Sequence, residues 1–254
     1  MAVGLEQRKE QILDLLQQNG NVRVSELSKR FGVSEVTIRI DLKDLENKGL
    51  LSCVHGGAIS NYKNYYNMSF PQRLKENEEE KKALAEALCS FINEDDTIMM
   101  NSGTSTLYAL KAFSRFKNLK LVTNSVYLAL EASKYTGIST VLLGGNINQN
   151  YHFTFGIDAE KQLENYHACK AILSIDGVSE QGGLSTYYEE EVELCRKMIK
   201  QADETIVLAD YSKIGRNAFV KIAGLDSVDM LISNNREIDE FAKLKEKGIK
   251  LILS

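Results

Sequence analysis

A six-residue run, Asn101-Ser-Gly-Thr-Ser-Thr106, sits where a predicted strand hands over to a predicted helix. A Gly/Ser/Thr loop in that position presents backbone N–H groups and hydroxyls to an anion, with the helix dipole behind them. This is phosphate-holding chemistry, although Ser and Thr cap ordinary helices as well. The candidate residues are Asn101, Ser102, Gly103, Thr104, Ser105 and Thr106. Further polar groups fall at other predicted strand ends: Asn124 and Ser125, Gly144 and Gly145, Asp176, and Asp210 with Lys213. Lys213, following Asp210 and Ser212, is the candidate phosphate cation. Glu191 belongs to an acidic run, Glu189 to Glu193, that precedes Arg196 and Lys197. That run reads equally well as a solvated helix face with i,i+4 pairs.

These groups need a scaffold that gathers strand ends, and the pattern from Leu74 onwards supplies one. Short apolar runs at 97–100, 120–123, 139–143, 171–175, 205–209, 228–233 and 249–253 alternate with helical stretches. Strands alternating with helices imply a doubly wound, mostly parallel α/β sheet covered on both faces. In such a sheet ligands sit beyond the carboxyl ends of the strands.

A different pattern occupies the N-terminus. Residues 5–18 read as a helix that ends at Asn19 and Gly20. Val22-Arg-Val24 is β-prone, and a short helix from Ser25 places Leu27 and Phe31 one turn apart. Gly32 and Val33 make a turn, and Ser34 opens a second helix running to Gly49. Leu50 and Leu51, then His55-Gly-Gly-Ala58, form the two sides of a β-wing. Helix, Gly-containing turn and helix is how a chain presents a helix to the major groove. At ~100° per residue, Ile38, Leu42 and Leu45 form a buried stripe. Val36, Ile40, Lys43 and Asn47 fall on the opposite side, with Arg39 and Thr37 at its flanks. The candidate DNA-reading residues are therefore Ser34, Val36, Thr37, Arg39, Ile40, Lys43 and, in the wing, His55. They offer methyl groups for thymine and cations for guanine or phosphate. A protein-docking module is the alternative for such a head.

The boundaries expected are 1–59 for the winged helix-turn-helix domain, 60–73 for a linker and 74–254 for the α/β domain. The linker contains Asn61-Tyr-Lys-Asn-Tyr-Tyr-Asn-Met-Ser-Phe-Pro71, with the single proline of the chain. Composition is that of a soluble globular protein, 43% apolar and 26% charged,. No apolar run approaches the ~18 residues of a membrane span. The N-terminus turns charged too soon for a secretory signal. Cys53, Cys89, Cys169 and Cys195 lie far apart, as reduced thiols of a cytoplasmic protein do. His55 in the wing reads as a backbone-orienting or phosphate-neighbouring residue, and His152 and His167 lack Cys or acidic partners at ligand spacing, so no metal is expected; no cofactor is expected either. The net charge is −4, and residues 1–60 carry eight Lys/Arg against eight Asp/Glu. Any basic patch must come from placement rather than excess.

The ordered motifs resemble those of the DeoR-type bacterial transcription regulators. The resemblance sits in Val24-Ser-Glu-Leu, Phe31-Gly-Val-Ser34, Thr37-Ile-Arg-Ile-Asp-Leu42, Leu45-Glu46 and His55-Gly-Gly-Ala58. It continues in Asn101-Ser-Gly-Thr-Ser-Thr106, Thr123-Asn-Ser125, Leu143-Gly-Gly145 and Asp210-Tyr-Ser-Lys-Ile-Gly215. It implies a winged head that binds a double-stranded operator, a C-terminal domain that senses a phosphorylated sugar, and a homo-oligomer acting as repressor. The chain departs from the family at Ile40, where a second Arg is usual, and at Ser52 and Cys53, where the wing usually carries basic residues. Asn101 stands where the family often has Asp.

The sensor also resembles the fold of ribose-5-phosphate isomerase. Asp176-Gly-Val-Ser179 matches that enzyme's acidic Asp-Gly-x-Asp loop except that Ser179 replaces the second acid. The Gly-rich loop bearing a catalytic Lys is not evident near Glu180-Gln-Gly-Gly-Leu184. An acid–base pair needs both partners within hydrogen-bond reach, so catalysis is not expected, though Glu191 or Glu193 remains available as a base. The expectation is a DNA-binding repressor of a sugar-metabolism operon controlled by a phosphorylated sugar. The alternative is a sugar-phosphate isomerase or transferase with an accessory head.

Overall fold

The computed structural model of the protein describes residues 5–19, 21–47, 50–60, 68–235 and 237–254. The chain divides into two compact units, Met1–Met68 and Ser69–Ser254.

The first unit runs α1 (Leu5–Asn19), β1 (Asn21–Arg23), α2 (Val24–Phe31), α3 (Glu35–Asn47), β2 (Leu51–Val54) and β3 (Gly57–Ser60). The three strands form an antiparallel wing in the order β1-β3-β2. Helix α2 stops at Gly32, whose φ of 64° is left-handed backbone that glycine adopts without a Cβ penalty,. Ser34 caps α3, its Oγ accepting the Thr37 N–H at 3.1 Å,. The predicted stripe is buried: Ile38, Leu42 and Leu45 pack with Ile12, Leu16, Leu27, Phe31, Leu51 and Ala58. Each such side chain contributes roughly 1.5–3 kcal/mol by leaving water. Arg8 of α1 crosses this core to Asp41 of α3, Nε to Oδ2 at 2.6 Å and Nη2 to Oδ1 at 3.2 Å.

The second unit opens with α4 (Phe70–Lys75) and α5 (Glu78–Cys89). It continues through β4 (Thr97–Met100), α6 (Thr104–Ala112), β5 (Leu119–Thr123), α7 (Val126–Ala132) and β6 (Ile138–Leu142). A small hairpin, β7 (Asn146–Ile147) and β8 (Thr154–Phe155), precedes α8 (Ile157–Leu163) and β9 (Ala168–Ser174). Then follow β10 (Gly177–Ser179), β11 (Gly183–Thr186), α9 (Glu189–Lys200), β12 (Ala202–Leu208), β13 (Val220–Ala223), β14 (Met230–Ser233), α10 (Glu240–Glu246) and β15 (Lys250–Leu253).

Seven strands form one sheet in the order β15-β14-β12-β9-β4-β5-β6, and every pairing in it is parallel. Successive residues turn to opposite faces. Met99, Val122, Ala171 and Leu173 pack with α8 and α9, and Val207 and Leu231 with α9 and α10. The alternate residues Ile98, Met100, Leu121, Ile172, Ile206 and Ile232 are buried too. Strands buried on both faces are what the continuous apolar runs required.

Two features depart from expectation. Residues 70–73, expected as linker, belong to α4. Ser69 and Gln72 form a capping box, with Gln72 Oε1 accepting the Ser69 N–H at 2.8 Å. Pro71 fits the first turn, where its missing N–H costs nothing. Residues 61–67 of the expected linker lie outside the described residues. The second departure is an antiparallel sheet, β10-β11-β13, standing apart from the main one.

Candidate functional site

In the first unit the outward face of α3 is the candidate reading surface. Val36 and Ile40, one turn apart, are 62% and 65% exposed. Arg39 and Lys43 beside them are held by Glu35 at 2.8 Å and Glu46 at 2.6 Å. Exposed pairs of this kind contribute little, so either cation can turn to a phosphate at little cost. Glu46 also accepts the Cys53 N–H at 2.7 Å, tying the wing to the helix. A groove of about 360 Å³ runs between them, lined by Arg39, Lys43, Cys53 and Val54 among others. His55 is exposed at the turn between β2 and β3. The hydroxyls of Ser34 and Thr37 bond each other at 2.8 Å at the start of the helix.

In the second unit the strand order reverses direction between β4 and β9. From there β5 and β6 run to one side, and β12, β14 and β15 to the other. That is a topological switch point, where the carboxyl ends of parallel strands leave a crevice. Asn101 splints it. Its Nδ2 donates to the Ser174 carbonyl at 2.9 Å and its Oδ1 accepts the Ser174 N–H at 2.8 Å. Gly103 lies against the same residue: a Cβ placed there would meet Ser174 Cβ at 2.3 Å. Thr106 folds its hydroxyl onto the carbonyls of Asn101 and Gly103 at 3.0 and 2.9 Å. Ser125 caps α7, and Thr104 and Ser105 are buried in the first turn of α6.

Glu191, in the first turn of α9, faces this loop. Its Oε1 accepts the Ser102 N–H at 2.9 Å and Asn124 Nδ2 at 3.2 Å. Burial pushes the Glu191 carboxyl up to about 8, against the downward pull of those two hydrogen bonds; the Asp176 charge adds to the rise. At neutral pH the group is therefore mostly uncharged. Ser102 Oγ and Asn124 Oδ1, both buried, find no hydrogen-bond partner among the described residues. Buried polar atoms left so are costly, and they are what a ligand's hydroxyls would satisfy.

Asp176, just past β9, accepts from Thr186 Oγ1 at 3.1 Å, the Tyr187 N–H at 3.0 Å and Arg73 at 2.9 Å. The Arg73 guanidinium lies 4.4 Å from the Tyr151 ring centre and 5.4 Å from that of Tyr188. The Tyr151 hydroxyl is a third buried polar atom here without a partner among the described residues. At the end of β12, Lys213 stands 3.9 Å from Asp210, and both are buried. Burial pushes the Asp210 carboxyl up, but the Lys213 charge, the Ser212 hydrogen bonds and the Lys81 charge outweigh it and hold it below its ordinary value. Lys81 is itself pushed down to about 8 by burial, with Asp210 countering, and donates to the carbonyls of Arg73 and Glu76.

The structure thus brings Asn101–Thr106, Asn124, Asp176 and Glu191 to the switch point, with Asp210 and Lys213 beyond the next strand. Gly144 and Gly145 follow β6, two strands from β4, the first bonded to Gln162 of α8 at 3.0 Å and the second packed on Phe155 of β8. Arg73, Lys81, Tyr151 and Tyr188 were not legible as site residues. The capping box around Ser69 was the available signal for Arg73.

Two family models match the chain, a DeoR-like helix-turn-helix domain over residues 8–64 and a DeoR C terminal sensor domain over residues 76–235. Among relatives, the uncharacterized HTH-type transcriptional regulator YulB of Bacillus subtilis (strain 168) is 35% identical, with 96% of this chain and 95% of that protein covered. The HTH-type transcriptional repressor GlcR of the same organism is 32% identical, covering 98% of this chain and 96% of GlcR. Among solved structures, ribose 5-phosphate isomerase A of Methanocaldococcus jannaschii is 17% identical over 55% of each chain, with a TM-score of 0.41. Head and sensor both match along their length, and the chain belongs to the DeoR family of helix-turn-helix transcriptional regulators.

Proposed function

We propose that this protein is a repressor whose operator binding is controlled by a phosphorylated sugar held at the switch point between β4 and β9. One observation carries the reading. Ser102 Oγ, Asn124 Oδ1 and the Tyr151 hydroxyl are buried acceptors or donors in need of partners, gathered beside buried cations. Arg73, Lys81 and Lys213 are set against Asp176 and Asp210, while Glu191 is largely neutral at pH 7. The cluster therefore has positive charge to spare, which suits an anion, and polar atoms to spare, which suit a polyol. Ser102 to Thr106 and Lys213 hold the phosphate; Asn124, Asp176 and Glu191 meet the hydroxyls. The name of the relative GlcR supports repression as the sense of action.

The mechanism is linkage: the effector binds two sensor states unequally, and the head, working in a homo-oligomer in the cytoplasm, reads DNA differently in each. Val36, Arg39, Ile40, Lys43 and His55 contact the operator, with Ser34 and Thr37 at the helix start beside a phosphate. A thermal-stability screen of phosphorylated sugars and their unphosphorylated parents tests the effector assignment. A ligand at a hundredfold its Kd stabilises by about 2.7 kcal/mol, or roughly 5–10 °C for a unit of this size. One phosphorylated sugar should do this and its parent should not; equal response to both defeats the assignment.

A further inference from the structure

Helix α4 is where the chain enters the sensor, immediately after residues 61–68 that follow the wing. The groups that attach it are groups of the candidate ligand site. Phe70 stacks on Tyr127 with ring centres 4.3 Å apart and meets the edge of Tyr151 at 5.6 Å. Arg73 donates to Asp176 at 2.9 Å and to the Tyr188 hydroxyl at 3.3 Å, and its guanidinium covers the Tyr151 ring. Both side chains are buried. Tyr151 carries one of the buried hydroxyls without a partner among the described residues.

A ligand shifts a conformational equilibrium only through contacts that differ between the two states. Arg73 is placed to supply such a contact, because it belongs to the ligand site by its guanidinium and to the head-proximal helix by its backbone. A buried guanidinium must stay paired, but a phosphoryl or carboxylate group can replace Asp176 as the partner, with the same forked geometry.

We propose that Arg73 is the coupling residue of the sensor: the effector's anionic group exchanges with Asp176 for its guanidinium, and the resulting shift of α4, the first helix of the sensor, alters operator affinity. This rests on the reading of the switch point as the effector site. Asp176 keeps its Thr186 and Tyr187 donors through the exchange, so the carboxylate is not abandoned. Lysine keeps the charge but has neither the planar fork nor the ring stacking, so Arg73→Lys separates pairing from coupling.

The test is hydrogen exchange on the full chain, with inorganic phosphate, ribose 5-phosphate, fructose 1-phosphate, fructose 6-phosphate and glucose 6-phosphate as probes. Operator affinity is measured alongside. A probe that binds should protect amides 102–106 and, in the same experiment, change exchange at amides 70–76. In the wild type it should alter operator affinity by about fivefold or more, and in Arg73→Lys by less than about twofold. Protection at 102–106 with exchange at 70–76 unchanged overturns the coupling role and leaves the effector site standing. So does an Arg73→Lys variant that responds like the wild type. If Arg73→Lys no longer binds a probe, the wild-type exchange at 70–76 decides alone. Absence of protection and of any operator response with every probe defeats the site reading, and this inference with it.

Discussion

Replacing Asp41 with alanine should remove most of the stability of the DNA-binding unit. Asp41 is 1% exposed and Arg8 6% exposed, and the two are joined by a forked pair of hydrogen bonds between α1 and α3. The Asp41 hydrogen bond raises the pKa of Arg8 against the downward pull of burial, so the guanidinium remains charged whatever the pH of the assay. Alanine leaves that charge buried and unpaired, at a cost of roughly 3–5 kcal/mol. A unit of about sixty residues has only about 3–9 kcal/mol in total at typical densities. At about 4–8 °C per kcal/mol, the midpoint for the unit should fall by roughly 12–40 °C. Hydrogen exchange of the α1 and α3 amides in the full chain reads this directly, and operator binding should fall with the folded fraction. The companion variant is Arg8→Met with Asp41→Leu, which removes both charges and should recover most of the loss, since apolar replacement of a whole buried pair is often neutral or better. A loss under about 1 kcal/mol for Asp41→Ala, the scale of an exposed pair, would show that the Arg8 charge is solvated. A double variant as unstable as the single one would show that the unpaired charge is not what costs the stability.

Three further outcomes follow from the geometry. Ile40→Arg should steepen the slope of log affinity against log salt by about 0.9, one added phosphate contact, on a wild-type slope that is shallow because the head has as many acids as bases; a wild-type slope already as steep as that of a strongly basic head contradicts this. Glu191→Gln should flatten the pH dependence of stability. The wild-type carboxyl stays protonated in the folded state between 4.5 and about 8 while the unfolded chain ionises, so the native state binds the extra proton and stability falls as pH rises through that window, by up to about 1.4 kcal/mol per pH unit. Melting curves should therefore show the variant gaining on the wild type from pH 5 to pH 8, and parallel curves would show that Glu191 is ionised when folded. Gly103→Ala should cost about 1–3 kcal/mol by overpacking against Ser174, read as a lowered midpoint in denaturant, and adding Ser174→Gly should restore part of it; an unaltered midpoint for the single variant would mean the loop yields freely.

Where a side chain's fate depends on local periodicity, it was legible before the fold was known. Ile38, Leu42 and Leu45 lie on one helical stripe and are buried, while Val36 and Ile40 lie opposite and are open. The alternation of apolar runs and helices likewise specifies a parallel sheet, and with it the strand ends where Asn101, Asn124 and Asp176 gather. Local pattern says less about residues whose surroundings come from distant chain. Arg73 meets its partners Asp176 and Tyr188 only through the tertiary fold, and its neighbours Phe70 and Pro71 look like a break in structure. In the acidic run, Glu189, Glu190 and Glu193 are solvated as the plain reading holds, but Glu191 shares a helix face with Leu194, Cys195 and Met198 and is buried with them. Lys81 sits in a charged helix and is nonetheless buried, since the carbonyls of Arg73 and Glu76 claim its ammonium group. The strands β10, β11 and β13 escape notice because three or four residues each carry too little alternation to stand out,.

In the function proposed above, one chain reads DNA with α3 and lets a phosphorylated sugar at the switch point decide how tightly. Fluorescence anisotropy of the full chain on DNA from upstream of its own operon tests this most directly, with and without the sugar phosphate selected by the stability screen. Binding should be at least about a thousandfold tighter than to unrelated DNA, and should change by about fivefold or more when the sugar phosphate is added. Binding without sequence preference, or an operator affinity that is the same with the sensor occupied, would contradict it.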